Sequence, residues 1–416
     1  MKFFQTNKFN ICFYPYPSEF IYSSICINIG SNDEKDGERG LAHFFEHMVF
    51  KGSTKIKKPI ETLDSLGCYM NASTYYNQTK YYIYGNYSHY KVILKILIYL
   101  LLYPSFPEKT IHNEIKVVLE ELRITENSTG EQLWKTIMKD LYKDYDLQYS
   151  KPVIGEKKDI KKFTKEKLLS FIQEKYYKNR FYLTICGKFK ENELKKYLNE
   201  ILKEPLISYI PLYKKIENEL KIPFFSPNHK PTIQFIKKKG FEQNKTFMVF
   251  RFTDFYNKYI DSMSLLSIII GKSHSSFLYQ LLREKHGLTY TQNCLDCYFM
   301  NHGFIYIKFK SDLKNTKKII ELIWNSLKRF KIKEQALKTA KEIYKNQYYG
   351  NKENLLTWTD IIEEHWTFDK KIPTLQDMEH ITLKEVQNLF YKVFIKENLY
   401  IYSIGDYKEI PSIKII

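Results

Sequence analysis

The sequence has no apolar run long enough to cross a bilayer. Its most apolar stretch, Val92 to Tyr103, is about twelve residues and contains Lys95, against the roughly twenty that a membrane helix needs. That stretch predicts a buried helix. The opening MKFFQTNKFNICFYPYP lacks the apolar core and small-residue cleavage site of a signal peptide. Cysteine is scarce: Cys12, Cys26, Cys68, Cys186, Cys294 and Cys297 are scattered, mostly in strand-like runs. Cys294-Leu-Asp-Cys297 is a lone C-x-x-C with no second pair and no redox-helix context. This usage excludes a disulfide framework and predicts reduced thiols in the cytoplasm or another reducing compartment. Acidic residues fall short of basic ones, 47 against 65, for a formal charge of +18. Yet there is no basic arm or block, so the charge predicts a solvated lysine-rich surface and no nucleic-acid partner. It also disfavours a substrate chosen only for being strongly basic.

What is present is core material. Hydrophobic residues make up 44% of the 416, with 29 Phe and 35 Tyr, and this length predicts two domains. The halves echo each other. Thr164 to Gly187, TKEKLLSFIQEKYYKNRFYLTICG, and Thr382 to Gly405, TLKEVQNLFYKVFIKENLYIYSIG, share one layout at a constant offset of 218 residues. Each starts with a Thr where a helix N-cap belongs, follows with helical apolar spacing, turns at Lys/Asn, and ends in a β-branched and aromatic strand closed by glycine. A domain near 200 residues, duplicated, is the economical reading. Between the halves, Pro205, Pro211, Pro223, Pro227 and Pro231 forbid a continuous helix or central strand and predict a linker over residues 205–231. The expected organisation is a domain over 1–204, the linker, and a homologous domain over 232–416. Strand patterns at Ser23–Ile29 and Tyr81–Tyr84 alternate with helical ones at 108–124 and 316–330. The expected fold class is therefore α+β: two similar domains, each a mainly antiparallel sheet with helices packed on one face.

The stretch GLAHFFEHMVFKGS, Gly40 to Ser53, carries His43-Phe-Phe-Glu46-His47. Histidines at i and i+4 lie one turn apart on one helical face, so both imidazoles reach a single ion, with Glu46 beside them. Zinc hydrolysis requires three protein ligands, an open position for water, and a nearby carboxylate to take the water's proton. The H-x-x-E-H spacing satisfies that geometry as well as its inverse does, but a third ligand is needed. PEKTIHNEIKVVLEELRI, Pro107 to Ile124, offers Glu114, Glu120 and Glu121. At about 100° per residue, Ile111, Ile115, Val118, Leu119 and Leu122 form the buried stripe. Glu114 and Glu121 share its flank, while Glu120 points to solvent. Glu121 is the expected ligand and Glu114, two turns earlier, the carboxylate that orients the site.

GLAHFFEHMVFKGS resembles the signature of the inverted-motif zinc peptidases that include pitrilysin, insulin-degrading enzyme and the mitochondrial processing peptidase. Gly67-Cys-Tyr-Met-Asn71-Ala72-Ser-Thr74 resembles the family's strand beside the metal, and NEIKVVLEEL, Asn113 to Leu122, its ligand helix. SSFLYQLLREKHGLTY, Ser275 to Tyr290, resembles its substrate-contacting segment, with Arg283 and Tyr290 seven apart. The resemblance places the ligand on Glu121 and the supporting glutamate on Glu114, as the helix-face argument does.

It implies a zinc endopeptidase acting on unfolded peptides or presequence-like segments inside a closed chamber, with one Zn2+ per chain. Glu46 would be the general base. Arg283 and Tyr290 would stabilise the oxyanion and hold the peptide, and the strand around Asn71 and Ala72 would pair with it. A chain of this length would be half of a clamshell, acting as a homodimer or with a related subunit, with Arg283 and Tyr290 reaching a partner's site in trans. The second half has no H-x-x-E-H, and Gly271-Lys-Ser-His-Ser-Ser276 is not the glycine-rich loop of the non-catalytic processing-peptidase subunit. The alternative is an inactive member serving as a scaffold or assembly subunit. Such members usually lack one of the two histidines, the base or the Arg/Tyr pair, and all are present here. Sequons at Asn71, Asn77 and Asn86 crowd the expected site strand and its neighbour, which again favours a non-secreted protein.

Overall fold

A computed structural model describes residues 1–6, 8–142, 148–203, 230–253, 256–299, 302–368 and 370–415. Of the expected linker, residues 205–229 lie outside the described residues. Contacts divide the chain into two units. One takes the described residues of Met1–Glu217 and Asn351–Ile372, the other those of Asn218–Gly350 and Pro373–Ile416.

The first unit is built on six strands: β1 (Lys2–Gln5), β2 (Phe9–Pro15), β3 (Phe20–Ile27), β4 (Tyr69–Thr74), β5 (Thr79–Asn86) and β6 (Phe181–Gly187). They lie in the order β1-β2-β6-β3-β5-β4, antiparallel except for the β2–β6 pair. The second unit has β7 (Thr232–Lys237), β8 (Gln243–Thr253), β9 (Gln292–Phe299), β10 (His302–Asp312) and β11 (Leu399–Gly405), in the order β7-β11-β8-β10-β9. Again one pair, β7–β11, is parallel and the rest are antiparallel. The second order repeats the first from β2 onward, strand for strand. The offset read from the sequence reappears intact: β6 and β11 begin and end 218 residues apart. The Thr164 and Thr382 hydroxyls accept from the N–H of Lys167 and of Glu385, each capping the helix that starts one residue on. The α+β class expected from the sequence is the class observed.

In the first unit, period-2 alternation sends Ile25, Ile27, Tyr81 and Ile83 to one face of the sheet. There they pack under the helices Leu41–Val49 and Tyr90–Leu102 in one apolar core. The run Val92 to Tyr103, expected to be buried, lies almost wholly within that second helix, whose Ile96 to Leu102 are all buried. The sheet's opposite face, carrying Tyr22, Ser24, Lys80, Tyr82 and Thr184, is covered by a helix from far along the chain, Leu355–Trp366. Its Trp366 indole donates to the Thr184 hydroxyl at 3.3 Å and packs on Tyr182. No disulfide joins any of the six cysteines, and only Cys297 is not buried. No helix among the described residues is long and apolar enough to cross a membrane.

Candidate metal centre

The helix Leu41–Val49 starts at Gly40, whose φ of 94° is open to glycine but strained for other residues. A Cβ there would also meet the Ile154 carbonyl oxygen at 2.5 Å. Gly40 has no side chain to cap the helix, and Glu34 does it from a distance. Its carboxylate accepts from the N–H groups of Gly40 and Ala42, both at 2.8 Å. Burial pushes the Glu34 carboxyl up to about 8, with those two hydrogen bonds pulling the other way. Leu41, Phe44, Phe45 and Met48 are buried, and the Phe45 ring meets Tyr176 edge-on at 4.9 Å. With that stripe fixed to the core, His43 and His47 are left together on one flank, ring centroids 4.7 Å apart.

The helix Glu108–Asn127 crosses this flank, and its buried Ile111, Glu114, Val118 and Leu122 set its rotation. Glu121 then faces both imidazoles. Its carboxylate oxygens stand 3.7 Å from His43 Nε2 and 3.3 Å from His47 Nε2. One ligand atom from each of the three residues can lie within 4.8 Å of the other two, the only such group found among the described residues. Glu114 Oε1 is 2.9 Å from His47 Nδ1, and its other oxygen is 2.7 Å from Lys51 Nζ. That contact assigns the Nδ1 proton to the Glu114 side and turns Nε2 of His47 toward Glu121. Glu120 points away, paired with Arg123 in solvent.

Electrostatics sort these groups. Burial lowers the His43 pKa to about 4, aided by His47 and opposed by Glu121. Burial also works against the charged form of His47, but hydrogen bonds to Glu114 and Glu121 outweigh it and raise its pKa to about 9. The hydrogen bond from His47 holds Glu121 below the usual carboxylate range, with burial opposing. Two imidazole nitrogens and one carboxylate, with a polar second layer on one histidine, are a zinc donor set. His43 Nδ1 is buried without a partner, so its only use in this arrangement is through Nε2. The residues fit the metal.

Glu46 is buried beside the histidines and accepts from the Thr74 hydroxyl at 2.6 Å. Burial raises its pKa, against the pull of that hydrogen bond and of His47. Thr74 ends β4, the last strand on that side of the sheet, so one backbone edge of β4 has no partner strand among the described residues. Asn71 and Ala72 sit in β4. The Asn71 side chain accepts from the Ala72 N–H and donates to the Tyr69 hydroxyl. Ala72 joins His43, Glu46, Glu121, Trp134 and Tyr149 in lining a cavity of about 750 Å3. Arg283 and Tyr290 belong to the second unit. The guanidinium stacks over the Tyr290 ring at 5.0 Å, and Tyr290 is 80% exposed.

The structure brings His43, His47, Glu46, Glu114 and Glu121 together and leaves Arg283 and Tyr290 in the other unit. What sequence reasoning missed is the support: Glu34 as remote cap, Lys51 on Glu114, and Thr74 on Glu46. Lys51 follows His47 by four residues, just past the end of that helix at Val49, and Thr74 closes the strand that the resemblance sets beside the metal.

Residues 15–153 match the family model described as Insulinase (Peptidase family M16), and residues 162–344 the one described as Peptidase M16 inactive domain. A Rickettsia felis protein described as an uncharacterized zinc protease is 28% identical over 388 residues, covering 89% of this chain and 90% of its own. A Bacillus subtilis protein described as the uncharacterized zinc protease YmxG is 25% identical over 385 residues, 90% of either chain. A probable mitochondrial-processing peptidase subunit beta of Arabidopsis thaliana is 30% identical over 175 residues, 41% of this chain and 32% of that one. Among solved structures, a protease from Helicobacter pylori superposes with a TM-score of 0.82 at 18% identity, covering 97% of this chain and 99% of its own. The periplasmic protease PqqL of Escherichia coli superposes at 0.80 and 18% identity, with this chain, 98% covered, spanning 48% of it. These two likenesses establish the fold.

Proposed function

The chain belongs to the insulinase family of peptidases, M16, and on that premise we propose that it is a zinc-dependent endopeptidase hydrolysing unfolded peptides or flexible presequence-like segments. The observation that carries the reading is the convergence of His43 Nε2 and His47 Nε2 on the Glu121 carboxylate with Glu46 buried alongside. His43, His47 and Glu121 would hold the metal. Bound zinc supplies a Lewis acid that activates water and polarises the scissile carbonyl. Glu46, oriented by Thr74, takes the water's proton on a carboxylate oxygen and delivers it to the leaving amine. Glu114 keeps the His47 ring in the tautomer that presents Nε2. The open edge of β4 at Asn71 and Ala72 pairs with an extended peptide through its backbone, which fixes register while demanding little of the sequence.

The scaffold reading draws on the description of residues 162–344 as an inactive domain. That match covers the half without the H-x-x-E-H, and the half that carries it matches the other family model. Zinc content and cleavage of a quenched unfolded peptide separate the two readings. The wild type should bind one zinc and cleave, and His47→Ala should lose both. A wild type that binds zinc and cleaves no peptide hands the function to the scaffold reading, and a His47→Ala chain with full zinc sinks the ligand assignment.

We assign Arg283 and Tyr290 to the oxyanion and the bound peptide, acting across a homodimer or a pair with a related subunit. Support comes from the exposure of Tyr290 and from the subunit character of the processing-peptidase relative. Mixing inactive Glu46→Gln and Arg283→Ala chains should restore about a quarter of the wild-type activity, on the assumption of random pairing into dimers with two independent sites. No recovery would place Arg283 at the site of its own chain.

A further inference from the structure

The second unit carries a cleft that this chemistry does not use. It runs between the segment 268–285 and the helix Glu334–Glu353, reaches Phe330, and holds about 750 Å3. In chain order its walls are the counterparts of those around the metal ligands. Segment 268–285 precedes β9 as Leu41–Val49 precedes β4, and Glu334–Glu353 is the second helix after β10 as Glu108–Asn127 is after β5. Where the first unit places histidines and glutamates, the lining here includes Ile268, Ile269, Leu281, Ala336, Ala340 and Ile343.

Polar side chains share that lining, Ser273, Ser275, Gln280, Gln335 and Thr339 among them, and two further polar features bear on what the cleft could hold. The Ser276 hydroxyl is buried, its residue 2% exposed, and it has no hydrogen-bond partner. A buried hydroxyl left unpaired is a cost that a ligand oxygen would remove. Lys285, Lys331 and Lys333 also line the cleft, exposed and without an ion pair among the described residues, against a single acid, Glu284. The Phe277 and Phe330 rings, the sequence neighbours of Ser276 and Lys331, are 4.6 Å apart, which links the two sides of the cleft. The volume is that of a pocket for one small molecule, on the order of 300–1,000 Å3. A cleft with Ile268, Ile269, Leu281 and Ile343 in its walls and three unpaired lysines on it suits a ligand with an apolar body and one anionic head.

We propose that the cleft binds one free long-chain fatty acid, its acyl chain along Ile268, Ile269, Leu281 and Ile343. The carboxylate lies among the lysines, with one oxygen accepting from Ser276. The site is independent of zinc and of peptide hydrolysis, and goes beyond both.

The test is displacement of a dansylated undecanoate from the full-length chain by palmitate, with hexadecanol as the uncharged control. Palmitate should displace the probe from a single saturable site, more tightly than hexadecanol, and equally well from chain stripped of zinc by a chelator. Lys331→Glu with Lys333→Glu should weaken palmitate by about tenfold or more and leave hexadecanol unchanged. Both lysines are exposed and unpaired, so the variant should keep the wild-type circular dichroism. Thr339→Trp, filling the trough from a half-buried position, should abolish displacement by both ligands. Absence of saturable displacement, hexadecanol matching palmitate, or a charge-reversed chain that binds like wild type each overturns the proposal. A charge reversal that changes only the chain's sedimentation, with no palmitate bound, identifies the cleft as a protein interface and also overturns it.

Discussion

A Glu46→Gln chain is expected to bind as much zinc as the wild type and to hydrolyse an unfolded peptide about 10²–10⁴-fold more slowly. Glutamine matches glutamate in shape and still offers an oxygen to the Thr74 hydroxyl, which reaches Glu46 at 2.6 Å. The helix Leu41–Val49 therefore keeps its seat, and Glu46 stands outside the His43, His47 and Glu121 group that would hold the ion. What the amide cannot do is accept a proton. Replacing the base without disturbing the ligands separates a rate effect from a binding effect, which His47→Ala cannot do. Zinc content by atomic absorption and turnover of a quenched peptide make the comparison. A variant within tenfold of the wild-type rate would remove Glu46 as base, and a variant that has lost its zinc would show the substitution to be structural.

The His-His-Glu cluster was legible in the sequence because a helix turns a spacing into a face. His43 and His47 at i and i+4, and Glu114 and Glu121 seven apart, are statements about one helix each, and the buried stripes of those helices fixed which way they turned. The duplication was legible for the same local reason: Thr caps, helical spacing and a terminal strand recur at 218 residues, and β6 and β11 bear it out. Contacts made at long range left no such trace. Glu34 caps a helix six residues downstream through a carboxylate whose role depends on burial. Thr74 finds Glu46 only because β4 lies beneath that helix. Least legible was Leu355–Trp366: its amphipathic pattern says helix, but nothing in it says that it belongs with a sheet some 280 to 340 residues earlier. A buried lysine in β5 and a buried glutamate in the helix each look like surface residues until they are seen to share one pocket.

Removing one member of that pair should be among the most destabilising single changes in the first unit. Lys80 and Glu363 are both buried, with Lys80 Nζ 2.5 Å from Glu363 Oε2. Ser24 donates to the same carboxylate, and the ammonium lies over the Tyr22 and Tyr82 rings. Burial raises the Glu363 pKa despite the pull of Lys80, so the ion pair only partly offsets what desolvation costs the carboxylate. The attraction matters most once it is broken. Glu363→Ala would leave the ammonium buried with only exposed Asp360 nearby, an arrangement that costs about 3–5 kcal/mol. Replacing both, Lys80→Met with Glu363→Leu, removes the charge along with its partner and should recover most of that loss. The urea midpoints of the two variants carry the test: a single variant within about 1 kcal/mol of wild type would mean that water reaches the pair. The effect should also reach the candidate site. Lys80 faces Ser73 across β5 and β4, one residue from Thr74. A loosened β5 frees the strand that orients Glu46, so Glu363→Ala should slow peptide hydrolysis even at temperatures where the chain remains folded, and the double variant should restore it. A single variant that is folded, destabilised and fully active would confine the pair to holding the helix on the sheet.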